Sequence, residues 1–260
     1  MDQQTILALG DELYNALCRG KTVAPLTARH PGITIEDAYL IQQRMLARRI
    51  EQGARVVGKK IGVTSQVVMD MLGVHQPDFG YLLNTMIYNE GEAVPMAGLI
   101  QPKAEGEIAF VLKHDLLGPG ISNADVLRAT ECVMPCFEIV DSRIDDWKIK
   151  IQDTVADNAS CGVFVLGDQA VDPRHVDLST CGMVLEKNGE IAATGAGAAA
   201  LGSPVNAVAW LANTMGRLGI PLKAGEVILS GSLAAMLPVK AGDNLRVTIG
   251  GIGGCSVRFI

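Results

Sequence analysis

The period of apolar and polar positions changes near residue 55. Before it the spacing is helical: Ala38, Ile41 and Met45 recur at intervals of three and four, opposite a charged face of Arg44, Arg48, Arg49 and Glu51, and the run ends at Gly53. Thr34 followed by Asp37 supplies a capping-box start, in which side chains satisfy the free N–H groups of the first turn. Beyond it, short β-branched or aliphatic runs take over: Val56-Val57, Glu107 to Leu112, Val133 to Val140, Gly162 to Leu166 and Val227 to Leu229. Gly, Pro or Asp bounds them, as expected of strands.

Two hairpins are predicted. Lys187-Asn188-Gly189-Glu190 carries the Asn-Gly pair that tolerates the positive φ angles of a type I′ turn. Leu245 to Ile249 and Ser256 to Phe259 flank a glycine-rich connection. One clear helix interrupts the second half, with Ser203 as N-cap, Pro204 at its first position, then Val205, Val208, Leu211, Ala212 and Met215 before Gly219. A shorter helix starts at Ser122. The expected class is α+β, with a helical N-terminal portion over residues 1–55 and a β-rich catalytic domain over 56–260.

Composition narrows the function. A hydrophobic fraction of 48% supports a full core, and the aromatic share of 4% leaves that core to aliphatic residues. The net charge of −6, without a basic run, argues against a nucleic-acid partner. No stretch reaches the roughly 20 apolar residues of a membrane span, and the N-terminus has no signal-peptide pattern. The six cysteines form no C-x-x-C pair and read as free thiols in a reducing, cytoplasmic setting. His30, His75, His114 and His175 show no paired ligand spacing, so zinc is not expected. Gly195 to Ala200 fits a dinucleotide fingerprint in letters only, because the next helix begins at Pro204.

The candidate chemistry lies in carboxylates. Glu105 and Glu107, two apart on a strand, project from one face, and Gly106 leaves room for close approach on the other. Such a pair is either a solvated edge feature or half of a cation site. Glu138 lies in the apolar run Val133 to Val140, where a buried carboxylate needs a partner. Together the three acids make an all-oxygen site for a hard cation, with positions left for a 2-oxo carboxylate to chelate. Upstream, Lys59 and Lys60 occupy a glycine-bounded apolar strand and must face opposite sides. Lys60 is the candidate for facing inward with a lowered pKa, and Lys59 for a surface position. Asp78 lies on the turn-forming stretch Gln76 to Gly80, and Asp153 to Gly162 reads as a polar loop entering a strand; turn and capping roles are open for both.

The E-x-E pair, the third Glu about thirty residues on and the G-x-K-x-G strand resemble the fumarylacetoacetate hydrolase superfamily, in its hydratase/decarboxylase branch. The resemblance runs over essentially the whole chain, through Gly73 to Gly80, Gln101 to Glu107, Asp141-Ser142-Arg143 and Thr154 to Ser160. It implies a mixed β-sandwich or roll in an oligomeric assembly, with Mg²⁺ or Mn²⁺ on Glu105, Glu107 and Glu138. Lys60 would act as acid/base group, Asp78 would lie near the reacting carbons, and Ser160 and Arg143 would bind substrate. The implied activity is hydration of a 2-hydroxydienoate, 2-hydroxypenta-2,4-dienoate, to 4-hydroxy-2-oxopentanoate in meta-cleavage degradation of aromatic compounds. Alternatives are decarboxylation of 4-oxalocrotonate, or a non-catalytic stabilising role in a complex with 4-oxalocrotonate decarboxylase. Two departures stand out: Gly202-Ser203-Pro204 replaces the Gly-His-Pro of many relatives, and the His–Glu pair of the hydrolases is missing.

Overall fold

The computed structural model describes residues 1–260. The N-terminal portion is helical, with α1 (Gln3–Arg19), α2 (Leu26–Arg29) and α3 (Ile35–Glu51). The expected capping box of Thr34 and Asp37 starts α3, and α1 ends at Gly20 in the left-handed conformation that glycine adopts without cost. Then follow β1 (Val56–Gly62), α4 (Gln66–Leu72), β2 (Asp78–Leu83), β3 (Ile87–Asn89), β4 (Ala93–Val94) and β5 (Pro102–Leu112). After α5 (Asn123–Ala129), started by a Ser122/Asp125 capping box, come β6 (Thr130–Asp141), α6 (Ile151–Ala156) and β7 (Cys161–Leu166). The chain ends with β8 (Gly182–Lys187), β9 (Glu190–Ala196), α7 (Pro204–Gly216), β10 (Val227–Leu229), β11 (Leu237–Pro238), β12 (Asn244–Ile249) and β13 (Gly253–Phe259).

The strands build two sheets and make the protein α+β. The larger runs β2-β1-β10-β5-β6-β7-β3, with β11 pairing onto β5; the smaller runs β4-β13-β12-β8-β9. Both predicted hairpins are present, and Asn188 and Gly189 take the positive φ values of 55° and 87° that their turn needs. The sheets pack face to face through Ile108, Phe110, Phe137 and Ile139 on one side and Met183, Leu185, Val247 and Val257 on the other. A Cβ at Gly106 would lie 3.0 Å from Val247 Cγ2, so the glycine lets the sheets approach where the sequence left room.

On the opposite face of the large sheet Ala109, Cys136, Phe164, Val227 and Leu229 form their own cluster, which Leu46 of α3 joins, while the N-terminal helices pack chiefly on one another and on α6. Leu13, Leu26, Ile41 and Met45 share a core with Ile144, Ile151 and Val155 from later in the chain. Gln42 of α3 reinforces this union, its amide donating to the carbonyls of Phe79 (2.9 Å) and Val155 (3.0 Å). The stretch expected as a polar loop is instead α6 followed by a tight turn, with Asp153, Asp157 and Asn158 all buried. Their polarity serves internal hydrogen bonds rather than solvent. Asp153, for example, accepts from the Thr27 backbone at 3.0 Å and hydroxyl at 2.7 Å, tying α2 to α6.

Candidate active site

Strand pairing assembles the three glutamates. β5 and β6 run antiparallel with Glu105 opposite Glu138 and Glu107 opposite Cys136. Ala104, Gly106 and Ile108 turn to the smaller sheet, so Glu105 and Glu107 turn to the helical side. One oxygen from each of Glu105, Glu107 and Glu138 lies within 4.8 Å of the others. Glu138 is 0% exposed and Glu107 1%, whereas Glu105 is half-buried at the rim.

The electrostatics of this cluster are unfavourable as it stands. Burial, then the charge of Glu138, pushes Glu105 up to about 7, and burial with Glu138 and Glu105 raises Glu107 well above the usual carboxylate range. Neither Glu138 oxygen accepts a hydrogen bond. The Gly231 N–H donates to Glu107 Oε2 at 2.8 Å. A divalent cation is the partner that such an oxygen-only set fits, since it relieves the repulsion and occupies the orphaned oxygens at once.

Lys60 stands beside the triad. It lies on β1 between Gly80 of β2 and Leu229 of β10, with Nζ 3.2 Å from Glu138 Oε1 and donating to the Ala159 carbonyl at 3.0 Å. Burial opposes its charge, but Glu138 and Asp78 outweigh burial and hold its pKa above the ordinary value. The lowered pKa expected from desolvation is therefore reversed by the surrounding acids.

Asp78 opens β2 opposite Gly62, 2% exposed, with Oδ1 accepting no hydrogen bond. Burial pushes its carboxyl up to about 6, against the pull of Lys60. A Cβ at Gly62 would lie 2.2 Å from Asp78 Oδ1 and 3.2 Å from Lys60 Nζ, so the glycine makes space for this pair. Beside it opens a cleft of about 450 Å³, lined by Thr64, Met69, Gln76, Pro77, Leu201 and Trp210.

Ser160 ends a turn in which Asn158, Ala159 and Ser160 all have positive φ, at 55°, 49° and 53°. Three consecutive left-handed non-glycine residues are costly and need outside support. Asn158 provides part of it, accepting from Tyr81 N at 2.8 Å and donating to Tyr81 O at 2.9 Å. Arg143 provides the rest. Expected at the substrate, its guanidinium is instead 1% exposed and bonded to the Asp157 carboxylate and the carbonyls of Asp141, Asp157 and Cys161. It shapes the turn that aims the Ala159 carbonyl at Lys60, and the structure does not bring it to the carboxylates. Ser160 Oγ lies 3.2 Å from Thr154 Oγ1 in the same buried region.

Lys59 differs from its expected surface position. It is 3% exposed and paired with Glu226 at 2.5 Å, on the other side of β1. Gly231, Asn158 and Asp157 escaped sequence reasoning as contributors to the site. Asp157 and Asn158 lie in the polar 153–160 stretch through which the family resemblance runs, whereas nothing along the chain marked Gly231.

A protein-family model described as fumarylacetoacetate (FAA) hydrolase C-terminal matches residues 56–260. The chain is 71% identical over 221 residues to a 2-hydroxypent-2,4-dienoate hydratase of Pseudomonas putida, covering 85% of this chain and 100% of that protein. It is 61% identical over 260 residues to a 2-hydroxyhexa-2,4-dienoate hydratase of Comamonas testosteroni, covering 99% and 98%. Among solved structures, the 4-oxalocrotonate decarboxylase of Pseudomonas putida G7, complexed with magnesium and adipate, aligns with a TM-score of 0.97 at 39% identity, covering 100% of this chain and 99% of that one.

Proposed function

The chain belongs to the fumarylacetoacetate hydrolase family, and from that premise we propose that it is a divalent-metal hydro-lyase. Its reaction is addition of water to 2-hydroxypenta-2,4-dienoate, giving 4-hydroxy-2-oxopentanoate in meta-cleavage degradation of aromatic compounds. The observation that carries the reading is Glu138: fully buried, both oxygens without a hydrogen bond, and converging with Glu105 and Glu107. These residues fit Mg²⁺ or Mn²⁺, and the names of relatives 71% and 61% identical support the substrate class.

When bound, the cation supplies Lewis acidity to the carboxylate and 2-oxygen of the substrate. Lys60, whose pKa the surrounding acids hold up, is placed to deliver a proton to C5 and recover the one that the 2-hydroxyl gives up, as the dienol ketonises to the conjugated 2-oxo-3-enoate. Water then adds at C4, the β-carbon of that enone. Asp78, whose carboxyl burial pushes up to about 6, is the group suited to orient this water, take its proton and return one to C3 as the ketone re-forms. Ser160, next to the Ala159 carbonyl that Lys60 bonds, is assigned to substrate binding, and Arg143 acts through the turn it supports.

The structural match to a 4-oxalocrotonate decarboxylase favours one second reading, decarboxylation of that dicarboxylate. Asp78 weighs against it, since its carboxylate would repel a second substrate carboxylate. The same match supports a finer proposal, that the chain associates with such a decarboxylase, and the family resemblance adds that it forms a homo-oligomer. Sizing the two proteins alone and mixed tests this. For the activity, the protein is incubated with Mg²⁺ or Mn²⁺ and each substrate, following loss of dienoate ultraviolet absorbance and release of CO₂. Metal-dependent hydration without CO₂ is expected; full activity after chelation would overturn the scheme.

A further inference from the structure

A second cavity, of about 210 Å³, lies between the helical portion and the β3–β7 edge of the large sheet. Its walls include Leu17, Met86, Tyr88, Val94, Leu99 and Val163, and Arg49 reaches into them from the last turn of α3. Arg49 differs from the other arginines of the helical face. Arg44 and Arg48 pair with Asp11 and Glu51, whereas Arg49 has no carboxylate within ion-pair distance. Its side-chain contacts are Thr85 Oγ1 at 3.1 Å and Met86 Sδ at 3.4 Å, one neutral acceptor and one weak one. Burial and the nearby Arg143 both hold its pKa below the ordinary value. The one carboxylate lining the cavity, Asp141, is occupied: its oxygens accept the Ile100 and Gln101 N–H groups at 2.7–3.0 Å.

Arg49 is half-buried, and its guanidinium faces the cavity with a neutral hydroxyl and a thioether as its hydrogen-bond partners, so a carboxylate entering there would supply the ion pair it lacks. We propose that this cavity is a second ligand site that binds a short aliphatic monocarboxylate, with the carboxylate on Arg49 and the chain among Leu17, Met86 and Val163. The planar fork of Arg49 matches a carboxylate, and Thr85 adjoins it. The volume lies below the roughly 300 Å³ at which pockets for drug-sized ligands begin, so nucleotides and aromatic cofactors are excluded. Arg49 is not part of the glutamate cluster, so the site stands independently of the hydratase reading.

The test uses the full chain in EDTA, keeping the glutamates metal-free, and follows the Met86 methyl resonance by NMR with isotope-labelled methionine, assigned through Met86→Leu. Pentanoate is the probe and pentan-1-ol its neutral counterpart. The expected result is a saturable Met86 shift with pentanoate, none with pentan-1-ol, and affinity weakened about tenfold or more in Arg49→Gln. Arg49→Lys should retain part of the binding. Equal saturation by pentan-1-ol, unchanged pentanoate affinity in Arg49→Gln, or no saturation at all would overturn the proposal. If Arg49→Gln does not fold, the comparison of the two probes on the unaltered protein decides alone.

Discussion

Lys60 Nζ lies 3.2 Å from Glu138 Oε1, and it is the only cation in ion-pair contact with a member of the glutamate cluster. One positive charge thus faces three carboxylates and Asp78, which leaves room in the charge balance for a divalent ion. Lys60→Met should lower hydratase turnover by about 10²- to 10⁴-fold, the usual worth of a positioned proton donor. It should also lower the melting temperature of the metal-free protein, because Glu138 then has no counter-charge. Wild-type turnover in this variant would remove Lys60 from the chemistry.

Glu107 offers a cleaner probe of metal binding. In Glu107→Gln the Gly231 N–H keeps an oxygen acceptor while one repelling charge disappears. Metal-free Glu107→Gln should therefore melt no lower than metal-free wild type. The rise in melting temperature that Mg²⁺ gives the wild type by linkage should vanish in the variant. Differential scanning fluorimetry with and without Mg²⁺ compares the four states.

Gly62 places Asp78. Because an added Cβ would lie 2.2 Å from Asp78 Oδ1, Gly62→Ala must displace that carboxylate. Turnover is expected to fall about 10²-fold, the cost of a misplacement of order 1 Å. The Mg²⁺-dependent melting shift should persist, since the three glutamates are untouched. Loss of the shift together with turnover would mean that the strand itself had moved.

The buried pair Lys59–Glu226 should behave as a structural unit. Glu226 also accepts the Lys223 N–H at 2.9 Å, so the pair fastens the turn before β10 to β1. Breaking it with Lys59→Met should cost about 3–5 kcal/mol by leaving a buried carboxylate unpaired. The double variant Lys59→Met/Glu226→Leu should recover most of that loss in urea unfolding. An additive double-variant cycle would show that the pair is not coupled.

Acid sensitivity has an identifiable contributor in Asp243. Burial would raise its pKa, but the Lys187 ammonium at 2.8 Å, the Asn188 amide at 3.0 Å and the Lys240 N–H at 2.9 Å bring it down to about 2. A carboxyl depressed by folding contributes stability above its ordinary value near 3.8 and loses it as pH falls toward 2. Asp243→Asn should flatten the stability profile between about pH 4 and 2. An unchanged slope in urea unfolding at several pH values would count against this assignment.

Much of this protein was legible along the chain. The helix of residues 35–51, both hairpins and the strands bearing the glutamates follow from local periodicity, caps and turn residues. Glu105 and Glu107 share a face because strand geometry has a period of two, and the apolar run around Glu138 announced its burial. Tertiary structure decided what no local rule encodes. Cross-strand register set Glu105 opposite Glu138, and sheet order put Lys60 within reach of both Glu138 and Asp78, reversing the pKa expected of a desolvated lysine. It also turned Lys59 inward to Glu226, and made Arg143 the support of a left-handed turn rather than a substrate contact. The physical reason is the same in each case. A residue's backbone preference is local, but the partner that satisfies its charge or hydrogen bonds comes from a distant segment, and only the folded chain brings the two together.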